Sequence, residues 1–176
     1  MRRSFFAVAF LGFLASAWRA DAASLNIVAL GASNTAGMGK GNHPGGVPRS
    51  QAFPAQLEAL LRAQGIDAHV RNAGIAGDTT AGMLRRMDSA VPNGTQIVIL
   101  QTGGNDARDS AGGDTAANTA QITSKLEARG IKVIPLVLST YAPASTRDPD
   151  GEHYNAQGHA AVAAGLLPQV IAGAEK

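Results

Sequence analysis

Apolar positions along this chain fall into four short continuous runs separated by stretches with a three-to-four spacing. The runs are Leu25–Leu30, Ala68–Ala73, Gln96–Gln101 and Ile131–Leu138. Leu25–Leu30 has the pattern of a buried parallel strand, and the other three read as strands by their place between the helical patterns, Ala68–Ala73 with His69, Arg71 and Asn72 among its apolar positions. The segments between them read as helices. Ser50–Gln64 places Phe53, Leu57, Leu60 and Leu61 on one face, and Gly65 closes it. Thr79 or Thr80 caps a second helix carrying Met83, Leu84 and Met87, which stops before Pro92. Ala116–Arg129 turns Ile122 and Leu126 inward and ends at Gly130. A last helix runs from Asn155 through Val162, Leu166, Leu167 and Val170. Strand alternating with helix predicts an α/β fold, a parallel sheet with right-handed crossovers that put helices on both faces. One stretch fits neither pattern. Ala36–Gly46 is a loop dense in glycine, of which Gly37–Gly46 is expected to be mobile in the unliganded protein and to border substrate entry.

The first residues follow a different logic. Arg2 and Arg3 precede an apolar stretch, Ser4–Trp18, that is too short for a comfortable membrane span. Ala20-Asp21-Ala22 matches a small-x-small cleavage pattern. Residues 1–22 are therefore expected to be a secretory signal peptide and 23–176 the folded domain, exported to the periplasm or secreted, with no membrane span after cleavage. That changes the charge balance. The chain has 15 basic and 13 acidic residues, and the leader holds three of the former and one of the latter, so the remainder is formally neutral. With aromatics at 5%, neither charge nor stacking surface supports a nucleic-acid partner. There is no cysteine, which excludes cysteine nucleophiles and cysteine-ligated metals.

The candidate chemistry lies just after the strands. Ser33 follows the first run, at the strand end where open α/β sheets bind ligands. A serine hydroxyl needs a base, and His153 can serve; Asp150, three residues earlier, can fix its tautomer. The oxyanion formed on attacking an ester needs fixed donors. The backbone N–H groups of Ser33 and Gly77 and the Asn105 side chain are available. Read singly, each residue has a plainer role: Ser33 and Asp150 as helix caps, His153 as a solvated turn residue, Gly77 and Asn105 as turn formers. Asp78 and Asp106 read as loop anchors. His159 reads as a packed, hydrogen-bonded residue, and His43 as solvated or touching substrate.

Four ordered blocks carry a resemblance. Gly31-Ala32-Ser33-Asn34, Asn72-Ala73-Gly74-Ile75-Ala76-Gly77-Asp78-Thr79, Gly103-Gly104-Asn105-Asp106 and Asp150-Gly151-Glu152-His153 together resemble the SGNH hydrolases, or GDSL esterases. The small bacterial arylesterase, thioesterase and lysophospholipase members look most similar. The resemblance implies a flavodoxin-like three-layer α/β/α sandwich with strand order 2-1-3-4. It implies a small-molecule ester or thioester substrate cleaved through an acyl-enzyme, with no cofactor and no metal. It also implies Ser33 as nucleophile, Gly77 and Asn105 as oxyanion donors, and Asp150 with His153 completing the triad.

Two departures stand out. Ala32 replaces the family's aspartate before the serine, so the turn loses a local hydrogen-bonding group. Only Ser139–Pro149 lies where the family inserts a helix and a fifth strand. The fourth strand is then an edge. Tyr141–Pro149 must fold back along it or a second subunit must cover it, which makes a homodimer through that edge one expectation. The acyl pocket should be shallow on this side. The alternatives are a non-catalytic relative that binds without turnover and a flavodoxin-like phosphate or nucleotide binder.

Overall fold

The computed structural model describes residues 24–40, 43–108 and 114–174. The expected signal peptide lies outside the described residues, and so does the His43 side chain. A parallel sheet is built from β1 (Leu25–Gly31), β4 (Ala68–Gly74), β5 (Ile97–Leu100) and β6 (Lys132–Pro135) in the order β4-β1-β5-β6. Counting only these four strands, this is the expected 2-1-3-4 order. Between β1 and β4 stands a small antiparallel ribbon, β2 (Met38–Lys40) and β3 (His43–Gly46).

Alternation along the strands divides the core in two. Ile27, Ala29, Ile97, Ile99 and Ile134 face one side. There they meet Phe53, Leu57 and Leu61 of α2 (Phe53–Ala63) and Val162, Leu166 and Val170 of α5 (Ala156–Ala174). Val28, Leu30, Val98 and Leu100 face the other side. They meet Met83 and Met87 of α3 (Thr80–Ala90) and Ile122 and Leu126 of α4 (Thr115–Glu127). Helices therefore cover both faces, because adjacent residues of a strand point to opposite sides. Each fully buried aliphatic side chain of this kind contributes about 1.5–3 kcal/mol.

The caps follow their chemistry. The Thr79 side chain accepts from the Gly82 N–H, and the Asp114 side chain from the Ala117 N–H. Asn155 accepts from the Gln157 and Gly158 N–H groups at the start of α5. α2 begins later than its apolar pattern suggests. Arg49–Gln51 form a separate 3-10 turn, and Pro54 sits in the first turn of the helix.

Two expectations are corrected here. The described residues of the glycine-rich stretch form a ribbon where an irregular loop was expected: β2 and β3 pair, and the Gly45 and Gly46 N–H groups donate to Asp150 and Asp148. The fourth strand stops at Pro135, although the Leu136 N–H still reaches the Leu100 carbonyl. Beyond it the chain leaves the sheet in a 3-10 turn, Leu138–Thr140. Among the described residues no further strand pairs with β6, so β6 is the edge. Tyr141–Pro149 does not run along that edge. Ala142 enters the α5 side of the core, and Tyr141 packs over Gly165 with its hydroxyl accepting from Gln169. The segment crosses the end of the sheet and delivers Asp150 and His153. No helix among the described residues is long and apolar enough to cross a membrane.

Candidate active site

β1 ends at Gly31 and the chain tightens at once into a single helical turn, α1 (Ser33–Ala36). The Ala36 N–H bonds the Ala32 carbonyl and the Gly37 N–H bonds that of Ser33. Ser33 thus opens a helix, which leaves its own N–H without an intrahelical acceptor. Ala32 supplies no side-chain cap. Gln101, just past the end of neighbouring β5, braces the turn instead: its Oε1 accepts from the Ala32 N–H and from Thr35 Oγ1, both at 3.1 Å.

Asn34 binds this turn to the opposite loop. Its Oδ1 accepts from the Tyr154 N–H at 3.1 Å, and its Nδ2 donates to the Glu152 carbonyl at 3.4 Å. The residues on either side of His153 are therefore fastened to the residue after Ser33.

His153 is 2% exposed, and its Nδ1 lies 2.6 Å from Asp150 Oδ2. An ionised carboxylate only accepts, so Nδ1 carries a proton, and in the neutral ring Nε2 then presents the lone pair. Nε2 is buried and makes no hydrogen bond to Ser33 or to any other group among the described residues. Asp150 Oδ1 accepts from the backbone N–H groups of Glu152 and His153, both at 3.0 Å. Burial works against the carboxylate's charge. The hydrogen bonds from the His153 ring and from these two N–H groups outweigh it and hold the Asp150 pKa well below the usual carboxylate range. Asp150 therefore does not cap the last helix; it ends in a local turn around the imidazole.

Gly77 has φ +80°, a left-handed conformation that side chains disfavour. The next residue, Asp78, pairs with Arg86 at 2.7 Å, and Arg86 also donates to the Gly31 carbonyl at 3.1 Å. Asp106 accepts from the Thr80 N–H, Thr80 Oγ1 and Thr115 Oγ1. Both acids are anchors, as expected from sequence.

The Asn105 amide is fixed from both ends. Its Nδ2 donates to the Asp78 carbonyl at 2.8 Å, and its Oδ1 accepts from Arg108 Nη2 at 2.7 Å. One Nδ2 hydrogen remains for another acceptor. Arg108 in turn grips both oxygens of the Glu152 carboxylate.

Ser33, Gly77, Asn105 and His153 line one cleft of about 180 Å³, with Gly39, Arg108 and Glu152 on its walls. Ser33 also borders a second cleft of about 210 Å³, formed by Thr102, Gly103, Gly104, Leu138, Ser139, Arg147 and Tyr154 among others. All five residues expected from sequence are brought together, with Asp150 behind His153. Sequence reasoning missed Gln101, Asn34, Arg108 and Gly45. His159 is packed as expected: it is fully buried, stacks on Phe53, and its Nδ1 accepts the Phe53 N–H at 3.2 Å.

Known proteins resemble this chain in sequence and in fold. Residues 29–167 match the model of the GDSL-like Lipase/Acylhydrolase family. Esterase TesA of Pseudomonas aeruginosa is 37% identical over 93 residues, which are 52% of this chain and 46% of TesA. The match thus spans about half the length of that relative. Among solved structures, the SGNH-hydrolase family esterase AlinE4 is 28% identical with a TM-score of 0.53, covering 86% of this chain and 73% of its own. A crystal structure of TesA is 23% identical with a TM-score of 0.67, covering 84% of this chain and 99% of its own; that likeness bears on the fold alone. With four fifths of the sequence inside the family model, the chain belongs to the GDSL-like lipase/acylhydrolase family, also called the SGNH hydrolases.

Proposed function

We propose that this chain hydrolyses small carboxylic esters or thioesters through an acyl-enzyme formed on Ser33. The observation that carries this reading is the 2.6 Å contact of His153 Nδ1 with Asp150, which leaves Nε2 as a lone-pair base in the cleft that Ser33 lines.

In the first half-reaction Ser33 Oγ attacks the carbonyl carbon and His153 Nε2 takes the hydroxyl proton. The carbonyl oxygen becomes an oxyanion, accepted by the Ser33 and Gly77 N–H groups and the remaining Asn105 Nδ2 hydrogen. Collapse breaks the ester bond, and His153 gives its proton to the departing alkoxide or thiolate. In the second half a water attacks the acyl carbon as His153 takes its proton, and His153 returns that proton to Ser33 Oγ as the acyl–serine bond breaks and the acid leaves. Asp150 stays ionised and stabilises the imidazolium. Two clefts meeting at Ser33 give the acyl and alcohol parts separate places. Removing one oxyanion donor typically costs on the order of 100- to 1,000-fold in rate. The leader-like pattern of residues 1–22 further supports a proposal that the enzyme acts after export.

A fluorophosphonate probe tests the reading. Covalent labelling is expected on the wild-type chain and not on Ser33→Ala. Turnover of aryl acetates should fall by several orders of magnitude in Ser33→Ala and His153→Ala with the fold retained. A folded wild-type chain that neither labels nor turns over any ester would instead be a binding protein. Near-wild-type turnover in Ser33→Ala would overturn the mechanism.

A further inference from the structure

Among the described residues Asp150 receives four hydrogen bonds, and three of them come from its own loop. Those three are the Glu152 N–H, the His153 N–H and the His153 ring. The fourth comes from 105 residues away: the Gly45 N–H of β3 donates to Oδ2 at 3.0 Å, the same oxygen that faces His153 Nδ1. Beside it, the Gly46 N–H donates to Asp148 Oδ2. The other strand of the ribbon contributes Gly39 to the wall of the Ser33 cleft. One small ribbon therefore both borders substrate space and grips the acid behind the base.

We propose that Gly45 is a positioning residue for catalysis, acting through Asp150 on the orientation of His153. The proposal rests on the esterase reading above. A carboxylate held only by its own loop moves with that loop. The Gly45 N–H ties it to the ribbon that follows the nucleophile turn, so base and nucleophile share one frame. The residue must be glycine. A Cβ at position 45 would stand 2.5 Å from Asp150 Oδ2 and 2.8 Å from its Cγ. The carboxylate cannot step aside without breaking its other three bonds. Gly46, with φ +112°, has the same restriction for a different reason, since a Cβ there would run into the Gly37 carbonyl.

The test is Gly45→Ala, read by kcat, KM and the pH profile on an aryl acetate. Misplacement of a catalytic group by about 1 Å costs on the order of 100-fold. The expected result is a 10- to 100-fold fall in kcat, on that same estimate, with little change in KM. The acidic limb of kcat/KM should move to lower pH, because the imidazolium loses a well-placed counter-charge. In an Asp150→Ala background the same substitution should have no further effect, since residues that act as a unit are not additive. Asp148→Ala, which removes the acceptor of the Gly46 N–H and with it a charge that acts on His159, should lower kcat in the same direction and should also be silent in Asp150→Ala. It decides the matter if Gly45→Ala does not fold. An unchanged kcat and pH profile, or an equal fold-loss with and without Asp150, overturns the proposal. A wild-type chain without Ser33-dependent turnover would overturn the esterase reading, and this proposal with it.

Discussion

Gln101 holds the Ala32 N–H at 3.1 Å from a position 69 residues further along the chain. Its side-chain oxygen takes the Thr35 hydroxyl as well, so one amide ties both ends of the nucleophile turn to β5. Ala32, Thr35 and Gln101 are all buried. Gln101→Leu should therefore orphan two buried donors, at about 1–3 kcal/mol each. A lower urea midpoint together with a lower kcat is expected. A variant with wild-type stability and rate would show that the turn holds its shape unaided.

Arg108 governs the Asn105 amide from the rim of the cleft, with Glu152 as its brace. The Arg108 side chain is 49% exposed, so the pair contributes about 1 kcal/mol or less to stability. Its weight should fall on rate. Arg108→Ala is expected to lower kcat on the order of tenfold, less than the loss of the Asn105 donor itself, with the melting temperature nearly unmoved. An unchanged kcat would mean that the bond to the Asp78 carbonyl alone fixes Asn105.

His159 should make the protein acid-sensitive. Burial lowers its pKa to about 4, only partly offset by the charge of Asp148. The folded state holds the ring neutral, whereas the unfolded chain binds a proton with the ordinary value of about 6.5. The unfolded state therefore carries more protons between these values. Stability falls as pH drops from about 6.5 to about 4, by up to about 3 kcal/mol, and levels off below. His159→Asn keeps an acceptor for the Phe53 N–H and cannot titrate in this range. Urea midpoints at pH 7 and pH 4.5 should diverge for the wild type and nearly coincide for the variant. Equal slopes would place the acid sensitivity elsewhere.

Acyl chain length reports on the open side of the molecule. Val137 is 62% exposed beyond β6, and no further strand among the described residues stands there to form a wall. Each methylene that finds a wall is worth about 0.8 kcal/mol, or about fourfold in kcat/KM. The rise from acetyl to butyryl esters should level off quickly, and esters of about twelve carbons should gain nothing on this basis. Sustained growth of kcat/KM with chain length would require an apolar wall supplied by a second chain.

Ser33, Gly77, Asn105 and the Asp150–His153 pair were legible because each lies in a short motif at a strand end, where local residue types state the chemistry. The sheet order was legible for a related reason. Four apolar runs separated by helical patterns leave few ways to bury both faces. What holds the site together was not legible. Gln101, Asn34 and Gly45 reach partners 66 to 120 residues away. Such bonds exist only once β1 lies between β4 and β5 and the Tyr141–Pro149 segment has crossed the sheet end. No local pattern encodes a hydrogen bond that depends on that arrangement. The ribbon shows the same limit from the other side. His43-Pro44-Gly45-Gly46 has little intrinsic strand preference, so its composition says loop. It is drawn into a paired strand whose N–H groups find the carboxylates of Asp148 and Asp150, and those arrive from the far end of the chain only when the whole domain has folded.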